Sequence, residues 1–339
     1  MASDDADKNH MAQSIRTPGL LAIFFVLLAG GSGISGLLGK TDSAANSEWA
    51  NSGAAFHVAT AQLEPQSFDE RCKADGVLVC EGFDSPRDFV PATWPAQGLY
   101  PAWDKKIHGT RDSNIKASGE SSLRFELLSN SGPNTVGFWR QPFEHNFGPG
   151  STFYVQFRQR FSKEMLTNDW GDTAWKQVIF HNEGSTCAQV ELTTVQYHHA
   201  GIPIMYTDCG DRALYWDTGQ PPLLLQQGDF NCVFEHINQK DCFHYPAEEW
   251  VTFYYQVSIG HWGKPASTIN AWVALDGKPY KRWIKMSHFI LKNDHPGHDY
   301  DTLTLLAYMT NKDMKIVHPT AYTWYDELIV SKNPIAPPK

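Results

Sequence analysis

Positive charge is scarce in this chain: 28 Lys and Arg stand against 37 Asp and Glu, for a formal net charge of -9 and a pI near 5.8. A surface with no basic excess offers no field for a phosphate backbone, so nucleic acid is excluded as a partner class. Charge of either sign is also thin at 19%, beside 42% hydrophobic content. A chain of 339 residues with that balance encloses a large core. Two further motifs are missing. No cysteine pair has the CxxC spacing of a zinc site. No strand carries Glu-x-Asp-x-Glu or Glu-x-Asp-x-x-Glu, the patterns that bring two carboxyl groups to the roughly 5–5.5 Å a retaining glycosidase needs. Glu191 stands alone among Thr and Gln, and the adjacent Asp326 and Glu327 are expected to face opposite ways.

One long apolar run is present, Leu20 to Ala29, with Arg16 before it and Gly30-Gly31-Ser32-Gly33 after it. That arrangement suits a secretory signal. Continuation through Ile34, Leu37 and Leu38 also gives about the 20 residues that span a bilayer as an uncleaved anchor. Both readings place the body outside the cytoplasm, periplasmic or extracellular, with membrane contact confined to residues 20–38. Residues 1–39 are therefore read as export segment or anchor, 40–66 as an Ala-, Ser-, Asn- and Gly-rich linker, and 67–339 as one β domain.

The six cysteines fall in sequence-local pairs, Cys72 with Cys80, Cys187 with Cys209 and Cys232 with Cys242, and suit disulfides in an oxidising compartment. If 188–197 and 203–207 form a hairpin turning near His198 to Gly201, Cys187 and Cys209 lie opposite each other. Cross-strand Cα distances of about 4.5–5.5 Å are within disulfide reach.

From Phe68 onward, short period-2 segments recur between turn signals, the signature of strands with one buried face. The spacing predicts strands over 77–83, 121–127, 152–161, 175–181, 188–197, 203–207, 251–259, 269–275, 302–310 and 322–330. Over 152–161 the pattern buries Phe153, Val155, Phe157 and Phe161 and leaves Tyr154, Gln156, Arg158 and Arg160 on a donor-rich opposite face. Asp276-Gly277 reads as a two-residue type I′ turn. One short helix is expected around 162–168. Between 208 and 250 the pattern is lost in a long insertion held by Cys232 and Cys242, a functional rim or an Ω-like decoration. The fold class is all-β, a two-sheet antiparallel sandwich behind an N-terminal hydrophobic segment.

The run Phe153 to Phe161, the Trp175 to His181 strand, the Trp272 strand with its Asp276-Gly277 turn, and Trp324 to Val330 resemble concanavalin A-like jelly rolls. Within that group the chain is most similar to secreted polysaccharide lyases of the heparin-lyase and glucuronan-lyase kind. The resemblance implies a concave sheet that binds an extended, anionic sugar chain and cleaves it by β-elimination. Such cleavage needs a base for the C5 proton, an acid for the leaving oxygen, and a cation or amide to stabilise the developing carboxylate dianion. The candidates are His181 as base or neutraliser, Tyr197 or Tyr254 as acid, Arg124, Arg158 and Gln177 as the carboxylate clamp and Gln156 as a further substrate-binding residue, with Arg124, Arg158, Gln177 and His181 expected to share one trough. Gln177 and His181 resemble the Gln-x-His strand of jelly-roll alginate lyases with two more residues between them. The segment Tyr197 to Ile202 is similar to their Tyr-x-Lys-Ala-Gly but lacks the Lys.

Asp294, His295, His298, Asp299 and Asp301 around Pro296-Gly297 form either a polar turn or a calcium site, which makes Ca2+ a candidate cofactor. The alternative from a different class is a non-catalytic sandwich, tethered by a retained anchor, that binds glycan or docks on a protein partner.

Overall fold

The structure is a computed structural model that describes residues 63–102, 104–129, 137–168, 170, 174–182, 190–195, 201–206, 223–224, 228–232, 241–293, 297, 299–309 and 315–339. All of these belong to the unit Ser52–Lys339. The export segment, Tyr197, Asp294, His295, His298 and most of the 208–250 insertion lie outside the described residues. Among the described residues no helix is long and apolar enough to cross a membrane.

Two antiparallel sheets stack face to face as a jelly-roll sandwich. With strands numbered along the chain, the eight-stranded sheet runs Lys281–Ile290 (β13), Pro265–Leu275 (β12), Trp250–Ser258 (β11), Thr152–Phe161 (β6), Ala321–Ser331 (β15), Ser122–Leu127 (β4) and Gly109–Asp112 (β3). Val77–Glu81 (β1) pairs with β15 off this path. The seven-stranded sheet runs Leu223–Leu224 (β10), Ile202–Tyr206 (β9), Val190–Val195 (β8), Ala174–His181 (β7), Tyr300–Met309 (β14), Phe138–Phe147 (β5) and Gly98–Tyr100 (β2). The predicted hairpin over 188–207 is β8 with β9, in the register Glu191 to Tyr206 and Val195 to Ile202.

Alternation explains the core. Phe153, Val155, Phe157 and Phe161 of β6 point inward and meet Val178 and Phe180 of β7 and Leu303 and Leu305 of β14. Phe153 and Phe180 approach edge to face at 5.7 Å, as do Phe180 and Tyr255 at 5.4 Å.

Some elements depart from the sequence reading. The helix Lys163–Thr167 (α2) forms as expected, with Ser162 Oγ accepting the Met165 N–H at 3.2 Å. A second helix, Phe68–Cys72 (α1), starts at a Ser67/Glu70 capping box, and a 3-10 turn covers Pro86–Phe89. Strands β5 and β13 were not expected. Pro142 sits mid-run in β5, where β2, which pairs only residues 138–140, no longer reaches. Of the turn pair Asp276-Gly277 only Gly277 has positive φ, 66°, so the turn is not type I′, and β13 starts only at Lys281.

Two of the three expected disulfides are present among the described residues. One joins Cys72 to Cys80, with Cα atoms 5.5 Å apart, and the other joins Cys232 to Cys242, at 4.5 Å. The third expected bridge, from Cys187 to Cys209, is not among them, because Cys187 and Cys209 both lie outside the described residues. The β8–β9 pairing that motivates it is described only as far as Val190 and Tyr206.

Candidate functional site

The expected trough does not form, because its members occupy three different places. Gln177 points into the sandwich interior, where it donates to Gln159 of β6. Arg124, Gln156 and Arg158 lie on the outer face of the eight-stranded sheet. His181 lies on the outer face of the other sheet. The Gln177 misplacement has a local cause: a bulge in β7 between Lys176 and Val178 resets the alternation, so Gln177 and His181 end on opposite faces.

The outer face of the eight-stranded sheet is covered over β6, β11 and β15. Helix α1 and the C-terminal segment lie over it, with Gln66 and Pro338 joined by a parallel bridge. Tyr154, Tyr254, Trp272, Ile329 and Ile335 form a second buried apolar cluster there. Gln156 accepts from Arg71 of α1 and donates to Tyr280 Oη and the Ala336 carbonyl, both at 3.0 Å. Arg71 also pairs with Glu327, and Arg158 pairs with Asp276 and lies 3.8 Å from Glu327. Tyr254 Oη accepts the Ile335 N–H at 3.1 Å, and burial raises its pKa well above 10. Arg124 lies 3.5 Å from Asp112 and 5.4 Å from the Tyr322 ring. These residues staple a cover in place, and Tyr254 cannot serve as the acid beside His181.

A bulge in β15 also corrects the expectation for Asp326 and Glu327. Tyr325 and Leu328 both point into the core, Glu327 has φ of 51°, and the two carboxylates between them lie on the same outer face. Burial pushes the Asp326 pKa up to about 7, with the Glu327 charge adding to it, while the Ala117, Ser118 and Glu327 N–H groups that it accepts pull it down. The pair looks like an acid beside a base. At 0% and 3% exposure beneath α1 and the 112–118 loop it has no access for a sugar chain.

The outer face of the seven-stranded sheet is built differently. Register sets Ile179, Thr304 and Arg140 in one row across β7, β14 and β5, and His181, Thr302 and Pro142 in the next. His181 Nδ1 is 2.9 Å from the Asn182 carbonyl and Nε2 is 2.8 Å from Thr304 Oγ1. The carbonyl only accepts, which assigns the proton to Nδ1 and leaves Nε2 as a lone pair receiving the Thr304 hydroxyl. Burial lowers the His181 pKa to about 4, Arg140 lowers it further, and the Asn182 carbonyl opposes both. The ring is neutral at neutral pH, a base of fixed tautomer.

Arg140 donates to Thr302 Oγ1 at 3.0 Å and to the Pro95 carbonyl, and its guanidinium lies 4.6 Å from the Trp94 ring centroid. Further along the strands, Lys176 lies 5.6 Å from the Tyr308 ring. Arg140, Thr302, Thr304 and Trp94 were missed by the sequence reading. The alternation of Trp139 and Phe143 inward with Arg140 outward was the available signal, masked by Pro142.

At the expected calcium turn, Asp299 accepts from Trp262 Nε1 at 3.3 Å and Asn293 Nδ2 at 3.5 Å. Among the described residues no group of three or more His, Cys, Asp or Glu is placed to hold a metal.

No family model and no curated protein matches the chain. Solved structures do. An alginate lyase from Aplysia kurodai aligns over 75% of this chain and 98% of its own at 10% identity and a TM-score of 0.45. An endo-β-1,4-glucuronan lyase from Trichoderma reesei aligns over 70% and 96% at 13% identity and 0.41. The catalytic domain of a glycoside hydrolase family 131 protein from Coprinopsis cinerea aligns over 78% and 98% at 13% identity and 0.45. Similarity at this level assigns no activity.

Proposed function

We propose that the protein is an exported, carbohydrate-active protein that binds a polysaccharide on the outer face of the seven-stranded sheet and cleaves a uronate-containing chain there by β-elimination. The observation that carries this reading is the His181 row: an imidazole neutral at working pH, its tautomer fixed by Asn182, beside Thr304 and one row from Arg140. In the reaction the Thr304 hydroxyl turns away from His181 Nε2, and the lone pair so released takes the C5 proton of a uronate. The buried Arg140 guanidinium does not touch the sugar and acts on the developing carboxylate dianion only through its field. Electrons from the C5–H bond form the C4–C5 double bond, and the C4–O bond breaks. Tyr197 keeps its place as the proposed acid for that leaving oxygen. Tyr308, six residues along β14 from Thr302 and so about 20 Å away, is too far to serve the same bond. The Cys72–Cys80 and Cys232–Cys242 disulfides support export to an oxidising compartment.

A second reading, a non-catalytic glycan-binding face, is favoured by one feature. Both His181 ring nitrogens and the Arg140 guanidinium already hold partners within the protein, as suits a rigid platform.

Incubation of residues 67–339 with glucuronan, alginate and heparin, followed by ultraviolet absorbance of the unsaturated product, separates the two. Elimination predicts product from at least one polymer and a loss of about 10²–10⁴-fold in rate for His181→Ala. Absence of product on all three, with binding retained in His181→Ala, contradicts elimination and leaves the binding face.

A further inference from the structure

Trp94 is the only exposed tryptophan among the described residues, at 46% exposure. One face of the indole rests on the Arg140 guanidinium, which is itself only 1% exposed. The Tyr100 ring meets Trp94 edge to face at 6.1 Å. With Arg140 on one face and Tyr100 beside it, the ring as a whole keeps 46% exposure.

The indole is held rigidly. Arg140 donates to the carbonyl of Pro95, the next residue, and so ties this segment to β5 from below. Tyr100 is anchored in turn by its hydroxyl on the Ala96 carbonyl at 2.8 Å and by parallel stacking on Phe138 at 4.8 Å. A flat apolar surface fixed before binding loses little entropy when a ligand covers it. Its position is also suited. Arg140 shares a row with Thr304, and β5 and β7 flank β14, so the strand whose Arg140 supports the platform lies about 10 Å from the His181 strand across the sheet.

We infer that the outward face of Trp94 is a stacking subsite for one pyranose ring of a chain laid across β7, β14 and β5, and that this subsite reads ring shape and not charge. The second half follows from burial. The Arg140 cation is spent on Trp94, the Pro95 carbonyl and Thr302, beneath the indole and out of reach of a ligand above it. The inference rests on the proposed carbohydrate function and adds a subsite to it.

The test is calorimetric binding of oligomers of glucuronan, and of glucuronan with its carboxyls reduced, to wild type, Trp94→Ala, Trp94→Phe and Trp94→Leu at low and high salt. Trp94→Ala and Trp94→Leu are expected to weaken both oligomers by the same factor, about tenfold, at either salt. Trp94→Phe keeps a ring over Arg140 and is expected to retain most of the affinity. Wild-type binding with Trp94→Leu unchanged overturns the subsite alone. A loss confined to the acidic oligomer and abolished by salt also overturns it. Failure of wild type to bind either oligomer, or alginate, overturns the subsite together with the carbohydrate function.

Discussion

On the eight-stranded sheet the outward residues of β6 include Tyr154, Gln156 and Arg158, and on the seven-stranded sheet one outward row holds Thr304 and Arg140 and the next holds His181. Aromatic rings and guanidinium groups occur on both. What separates them is the cover. Over the first, α1 and the C-terminal segment bring Arg71, Ile335 and Ala336, and the polar groups are consumed in ion pairs and buried hydrogen bonds. Over the second, the one hydrogen-bond partner described for His181 Nε2 is the neutral Thr304 hydroxyl, and Trp94 is 46% exposed. A donor-rich strand face therefore says nothing about ligand binding until the chain segments that lie over it are known.

The largest way to break this contrast is Glu327→Ala. It leaves Arg71 and Arg158 without their buried counter-charge and is expected to cost about 3–5 kcal/mol in denaturant unfolding. Elimination or binding by the fraction still folded should be unchanged, the reverse of the His181→Ala outcome. Smaller is the double change Cys72→Ser with Cys80→Ser, which opens a crosslink between residues 8 apart and is expected to cost about 2 kcal/mol while leaving polymer affinity alone.

The two faces should also respond to pH with opposite sign. Asp326 binds its proton more tightly folded, near pH 7 against an ordinary 3.8, so its contribution is present at low pH and lost as pH rises through that window. His181 binds its proton more weakly folded, about 4 against 6.5, so its contribution is present above 6.5 and lost as pH falls towards 4. Urea unfolding from pH 4 to 7.5 is expected to show Asp326→Asn gaining on wild type as pH rises, and His181→Ala losing ground over the same range. Equal slopes for both variants and wild type would contradict the assigned environments. The smallest effect belongs to Arg124→Ala, a part-exposed ion pair with Asp112, expected to change stability by less than about 1 kcal/mol.

Much of the sandwich was legible because alternation is a local signal. The bounds of β6 match the predicted 152–161, and its inward Phe153, Val155, Phe157 and Phe161 are the residues that build the core. Elements that break the period were lost: β5 around Pro142, and β13, whose pairing with β12 shifts register repeatedly and whose His288 has φ of 59°. The site was far less legible. One bulge in β7 turned Gln177 inward, and one in β15 brought Asp326 and Glu327 to a common face. No local pattern reports the partnership of Arg71 with Glu327, which lie 256 residues apart.

Backbone amide hydrogen exchange, with and without a saturating glucuronan oligosaccharide, tests most directly which face is used. Ligand-induced protection is expected in Thr93 to Gly98, β5, β14 and the end of β7 around His181, with none in α1, residues 112–118 or the 332–339 segment. Protection confined to α1, residues 112–118 and the C-terminal segment would place the ligand on the other sheet and contradict the assignment.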